Sequence, residues 1–474
     1  MSFYLYDISF LVVFGLAVIF FLVKNKDNLK REGVFFLYRT KLGIKVINFI
    51  GTKFKKTLSI LKYFIIFVGY ILMITMLYLL FQIVYIYFKF PEVVRAIKAP
   101  PLLPLIPYVT EIFDVGSILP PFYFTYWILA IIIIAVSHEF AHGILAKYNN
   151  VKIKSTGFGF LGPLLAAFVE PDEKKLQKKS KTAQLSVLAA GSFANVVVSG
   201  IFILLMWGFF SIAFMQSGAT FNTYTYEIVN FSSIKIINNI SLNDRQEMIN
   251  FVSGLGNESL INVTADKLYV IQKETFLTEL NSSSNSILLF DNAPAINAGM
   301  KGNIIEFNHV KIKNGEILRE ELRKYSLGDN VLIETELNNQ TFIYNIILAA
   351  NPQNKSIPFI GIGVIRQSGG VLSGISQVFA FFIDESTYYK ERFNGFSIFI
   401  YNLLWWIFMI NIAVALFNML PLGIFDGGRV FYLTMLAVSR SEKFAKKSFK
   451  TVTYLLLFLF LLLMFLWFIS IAKI

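Results

Sequence analysis

His138-Glu139-Phe140-Ala141-His142 lies inside an apolar stretch long enough to cross a bilayer. Residues four apart on a helix share a face, so His138 and His142 can direct imidazole nitrogens at one ion while Glu139 lies beside the water that the ion carries. The chemistry this predicts is hydrolysis at a single Zn2+ ion per chain, with two ligands and a base supplied by little more than one helical turn. The competing reading is a chance match. Against it, the chain has only three histidines, and ionisable groups in hydrocarbon, each unfavourable by about 2.5 kcal/mol or more, usually persist only for function.

A helical turn needs neighbours to hold it, and composition says what they are. Of 474 residues 55% are hydrophobic and 15% charged, which excludes an ordinary soluble globule and predicts a polytopic α-helical membrane protein. Apolar runs near Phe3–Val23, Leu58–Phe88, Phe122–Leu145, Ala183–Phe214, Phe396–Leu420 and Val452–Ile471 can each span about 30 Å of hydrocarbon. The first has no basic start and no small-residue cleavage site, so it reads as a retained helix and not as a signal peptide. Cysteine is absent, which leaves His, Asp and Glu as metal ligands.

Three connecting loops, 24–57, 147–181 and 429–450, hold 24 of the 43 Lys and Arg residues. Basic residues accumulate on the cytoplasmic side, so the loop 89–118 and the long segment 216–395 are expected outside, with both termini, and the active site toward the cytoplasmic face of the cell membrane. The Asn-x-Ser/Thr sequons, from Asn230 to Asn354, all fall in that external segment. The net charge of +13 is then a feature of a surface facing the lipid bilayer, and nucleic acid binding is not needed to explain it.

A catalytic zinc wants a third protein ligand and an open position for water. With no cysteine, and with His309 external, a carboxylate must serve. Asp426, in Asn418-Met-Leu-Pro421-Leu-Gly423-Ile-Phe-Asp426-Gly427-Gly428-Arg429, best combines an apolar span with a defined turn, at the cytoplasmic end of its segment. His138 precedes Lys147 by nine residues, roughly 14 Å of helix from the same side, so the two depths are compatible. The alternative for Asp426 is a helix cap or an interfacial loop acid. Between the two sites, Ser155–Pro171 carries Gly157, Gly159, Gly162 and Pro163 among aromatics, a pattern suited to a hairpin and not to a helix.

Taken together, the His138-Glu-x-x-His142 motif in a membrane helix and the downstream Asn418-x-x-Pro421 and Asp426-Gly427 resemble the site-2 protease family of zinc intramembrane metalloproteases, in an archaeal-like layout with a PDZ-like insert. The resemblance implies zinc held by His138, His142 and Asp426, with Glu139 as general base. It also implies that Ser155–Pro171 is a membrane-reentrant β-hairpin whose exposed edge pairs with an unwound strand of substrate. The family commonly has a second proline where this chain has Gly423, a change expected to loosen the turn that presents Asp426. Gly191-Ser-Phe-Ala-Asn195 is similar to a Gly-x-x-x-Asn element on the family's next core helix, which small-residue helix packing explains equally well. Asn195 and Asn418 either position substrate backbone or bridge helices. Implied partners are transmembrane protein substrates and an upstream protease that first shortens them, the scheme of regulated intramembrane proteolysis.

In the external segment, Pro294-Ala, Ala298-Gly299 and Gly302-Asn303 before a strand and turn resemble a PDZ domain of the protease-associated type, with Asn303 in place of the usual Asp. Ser233–Asp244 aligns without gaps on Asn303–Asn314, so one or two α+β or β modules fit the segment. His309 falls at a turn and is expected to be a surface residue. The expected organisation is N-terminal helices with a basic loop and a Pro-rich, non-helical external loop over 1–118, the first half of the catalytic core over 119–215, the PDZ-like insert over 216–370, and 371–474 with an interfacial helix at Val371–Phe382, the Asp426 segment and a last membrane helix.

Two rival functions remain open at this stage. One is a membrane protease of another family, acting on lipid-modified C-termini with a glutamate as third ligand. The other is a catalytically silent scaffold that binds partners through the insert, which the intact Glu139 disfavours.

Overall fold

In the computed structural model, residues 3–472 are described except 34, 92–93, 95–98, 117, 162–163, 243, 257–259, 282–284, 353 and 365–382. The expected interfacial helix Val371–Phe382 lies outside the described residues, as do Gly162 and Pro163 at the hairpin tip. Among the described residues six helices are long and apolar enough to cross a membrane. They are α1 (Phe3–Lys24), α3 (Lys55–Lys89), α4 (Phe124–Tyr148), α5 (Lys181–Ala213), α6 (Phe396–Asn418) and α8 (Glu442–Ala472). Two shorter helices, α2 (Ile44–Lys53) and α7 (Asp426–Ser439), belong with them. The chain divides into two compact units, Met1–Phe210 with Ile398–Ile474, and Ser211–Ser397.

The basic segment 24–57, read as a loop, contains structure. Strands β1 (Leu29–Glu32) and β2 (Phe35–Thr40) join β3 (Ile153–Leu161) and β4 (Leu164–Pro171) in one antiparallel sheet of order β1-β2-β3-β4. The expected hairpin is therefore half of a sheet, and of its two edges only β4 stays open. Gly157 makes the β2 pairing feasible, since a Cβ there would lie 2.2 Å from the Tyr38 carbonyl oxygen and 2.7 Å from the Phe168 ring. Arg39 on β2 reaches Glu170 on β4 at 3.3 Å, and Ser155 donates to the same carboxylate at 2.6 Å. The Ser155 hydrogen bond, aided by Arg39, outweighs partial burial and holds the Glu170 carboxyl below its usual range.

Helix α2 lies against the C-terminal half of α4. Its buried Ile47 meets α4 at Gly143, where a Cβ would come within 3.0 Å of the isoleucine methyl. At Gly51 the backbone approaches Lys147 as closely, with a Cβ position 2.9 Å from that side chain. A glycine on each partner thus brings two helices together within a turn of His142.

At the other end of α4, Asp7 of α1 supplies a cap in trans. Its carboxylate is buried and accepts from the backbone N–H of Phe124 at 2.7 Å and of Thr125 at 2.9 Å, the first two residues of α4. The Tyr108 hydroxyl adds a third bond at 2.8 Å. The neighbouring loop before α4, expected to be external and non-helical, makes one helical turn at Val109–Ile112 and packs here through Leu105, whose carbonyl accepts from the Trp127 indole at 3.0 Å.

Within Ser211–Ser397 two sheets each carry their own core. One has six strands in the spatial order Tyr226–Asn230, Ser286–Asp291, Leu268–Gln272, Leu260–Thr264, Ile236–Ile237, Ile240–Ser241, over Val252, Tyr269 and Phe276. The other runs Gln340–Ile347, Asn330–Leu337, Asn303–Phe307, Phe214–Ala219, Thr387–Glu391, over Ile304, Phe307 and Val331. The gapless alignment has a structural counterpart. Asn238 and Asn239 take φ of 44° and 67°, Asn308 and His309 take 48° and 67°, and each pair closes a two-residue hairpin. Six residues on, Asp244 and Asn314 cap equivalent helices, accepting from the N–H three residues later at 2.8 and 2.9 Å. His309 is a turn residue with 79% of its side chain exposed, as expected.

Because the buried Asp7 carboxylate satisfies two donors at the start of α4, Asp7→Ala should lower stability by about 2 kcal/mol. Thermal unfolding in detergent, read by circular dichroism, checks this; an unchanged midpoint would contradict the cap.

Candidate metal centre

The periodicity of α4 puts His138 and His142 on one face with ring centroids 4.6 Å apart, and their Nε2 atoms come to 3.0 Å. Asp426 reaches the same point from far downstream. Its Oδ2 lies 3.4 Å from His138 Nε2 and 3.2 Å from His142 Nε2, so the three ligand atoms lie within 4.8 Å of one another. Among the described residues this is the grouping of three potential ligands that could hold an ion.

Backbone proximity makes the convergence feasible. On α5, a Cβ at Gly191 would sit 2.5 Å from Nε2 of both histidines, so the absent side chain is the room that an ion needs. At the start of α7, Cβ atoms at Gly427 and Gly428 would lie 2.2 Å from the Met419 and Leu422 carbonyl oxygens. These two glycines let the helix begin directly against the turn that precedes it. The turn that carries Gly423 is closed by backbone hydrogen bonds: Leu422 N–H donates to Leu420 at 2.8 Å, Phe425 to Leu422 at 3.0 Å and Gly428 to Phe425 at 3.1 Å. The donor set, two imidazole nitrogens and a carboxylate oxygen, suits zinc, and the space left by Gly191 accommodates it.

Hydrogen bonds behind the ligands orient them. His142 Nδ1 lies 2.6 Å from the Val187 carbonyl oxygen. A carbonyl only accepts, so Nδ1 carries the proton and Nε2 keeps its lone pair. Glu139 accepts from the Val169 N–H on the open edge of β4 at 2.8 Å, and its second oxygen stays available for a proton. Asn418, the last residue of α6, lines a cavity of about 540 Å3 with His138, Glu139, His142 and Asp426. Asn195 does not line it; it is fully buried with its amide nitrogen 3.2 Å from His138 Nδ1. Across the cavity's rim Arg429 pairs with Glu173 at 3.2 Å.

The sequence marked Gly191 only as part of a Gly-x-x-x-Asn element, without its place beside the ligands, and did not mark Val187 or Val169. Gly191 and Asn195 are one helical turn apart, which marks a shared face. Val187 and Val169 act through their backbone, and no side-chain pattern announces them.

Residues 126–464 match peptidase family M50. An uncharacterized protein of Methanocaldococcus jannaschii is 28% identical over 188 residues, 38% of this chain and 46% of that protein. The chain thus spans about half the length of the curated relative it matches.

Gly191→Ala should abolish stoichiometric metal uptake by the purified protein, since the methyl would sit 2.5 Å from both ligand nitrogens. Gly200→Ala on the same helix, where a Cβ meets nothing within 4 Å, is the control that should bind normally. Equal metal content in the two, measured by atomic emission, would remove the geometry described.

Proposed function

The chain belongs to peptidase family M50, the site-2 protease family, and on that premise we propose that it is a zinc endopeptidase that cleaves transmembrane segments of membrane-tethered proteins. The observation that carries this reading is the meeting of His138, His142 and Asp426 beside Glu139 in one cavity. Membership of the family and the six apolar helices make it a multi-pass membrane metalloprotease. The distribution of basic residues supports a cytoplasm-proximal site and an external insert.

His138, His142 and Asp426 would hold the zinc, which when bound supplies a Lewis acid and acidifies water. Glu139 takes the proton of the attacking water with the oxygen not engaged by Val169, and returns it to the leaving amine. Each cleavage leaves Glu139 as it began.

A helical substrate hides its peptide bonds in its own hydrogen bonds, and the β4 edge offers replacements. Val169 turns its N–H away from β3 toward Glu139. By the two-residue period of a strand, Ala167 and Leu165 turn theirs the same way, and Ala167 lines the cavity. An unwound substrate strand added there lies alongside the base. In this reading Ser155–Pro171 is the reentrant hairpin, Asn418 positions substrate backbone, and the PDZ-like insert, as tandem modules, selects substrates already shortened by another protease.

In proteoliposomes with Zn2+ and a single-pass substrate, Glu139→Gln should lower the cleavage rate by about 10²–10⁴-fold. Equal product from both proteins removes the mechanism. Ala167→Pro deletes one outward N–H at an edge position where proline is tolerated. It should reduce kcat/KM about tenfold with metal content unchanged; native kinetics would exclude strand addition at this edge.

A further inference from the structure

Asn195 has no part in the chemistry above, yet it is fully buried one helical turn beyond Gly191 and touches a ligand. Its carboxamide nitrogen lies 3.2 Å from His138 Nδ1, and its oxygen lies 3.4 Å from the Ser137 hydroxyl. Which end of the carboxamide faces the ring decides which ring nitrogen bears the proton. For His142 the matter is closed, because the Val187 carbonyl accepts and cannot donate. His138 has a partner able to do either.

With the amide nitrogen toward Nδ1, that atom accepts and the proton resides on Nε2. There it faces Nε2 of His142 at 3.0 Å and Oδ2 of Asp426 at 3.4 Å, so the ligands bond to one another. A half-turn of the carboxamide presents oxygen instead. Nδ1 then carries the proton and Nε2 is free to ligate. The imidazole gives up one proton at Nε2 and gains one at Nδ1, through water, with no net change. The half-turn strands no buried group, because the Ser137 hydroxyl can give its proton to the Ile133 carbonyl at 2.8 Å while accepting from the amide nitrogen.

Resting on the zinc reading, we propose that Asn195 is a positioning residue whose carboxamide oxygen, turned toward Nδ1, fixes the tautomer of His138 that leaves Nε2 free to ligate. An asparagine or an aspartate can supply that acceptor, and a leucine cannot. Removal of such a ligand-orienting bond weakens metal affinity by about 10–100-fold.

The test uses the full chain in detergent, stripped of metal and titrated with Zn2+ against a chromophoric chelator. Co2+ absorption gives a second readout of ligand geometry. Asn195→Leu should bind Zn2+ about 10–100-fold more weakly than native protein, and Asn195→Asp should bind at least as tightly. Native affinity in the leucine variant overturns the proposal, as does a rise in KM with zinc affinity unaltered, which would mean substrate contact. Should the leucine variant fail to fold, the aspartate variant decides: affinity ten-fold or more below native overturns the proposal, because an acceptor alone should suffice. A native protein whose Zn2+ uptake does not depend on His138 and His142 would instead remove the zinc reading itself.

Discussion

Three ligand atoms can share a space under 5 Å across only if the backbones that carry them come closer than ordinary side chains allow. Here that constraint is met by deletion. Gly191 leaves the volume where both imidazoles point, Gly427 and Gly428 seat the Asp426 helix on the preceding turn, and Gly143 and Gly51 draw α2 against α4. Each is a place where one methyl group would meet backbone, a ligand or a packed side chain within 3.0 Å, so the apolar packing of this core is organised around a polar centre it could not otherwise enclose.

Much of this was legible in the residues. The spacing of His138, Glu139 and His142 follows from the helical period alone, and the six apolar runs from hydropathy. Asp426 could be reached by eliminating other ligands, because cysteine is absent and the third histidine falls in the segment read from its charge as external. What stayed hidden was made of backbone or of distant pairing. Val187 and Val169 contribute a carbonyl and an N–H, which every residue type possesses. Leu29–Glu32 is mostly charged and Phe35–Thr40 is only six residues long; the second becomes a strand because β3, more than 100 residues away in the register, accepts it, and the first pairs on the second in turn.

Asn195 and Asn418 show how one residue type can hold two places around a site. Both sit near helix positions that a polar group seldom occupies in an apolar segment, and sequence reasoning treated them alike. The fold separates them. Asn418 faces the cavity at the end of α6, whereas Asn195 is sealed behind an imidazole on α5. The insert illustrates the opposite case: the Asn-Asn and Asn-His pairs with positive φ, followed by capped helices, repeat closely enough that a local alignment found the same unit twice.

The cap that Asp7 places on α4 reaches further than the bonds it makes. A lone apolar helix can slide or tilt to suit the thickness of the lipid around it. One whose first turn is fastened to a carboxylate on a neighbour has lost the freedom to slide alone. His138 lies 14 residues along the helix from Phe124, about 21 Å, so the level of the ligands is measured from that joint like a mark on a ruler. Variation in bilayer thickness must then be absorbed by the whole bundle, or by the lipid, and not by a shift of the reactive groups past one another.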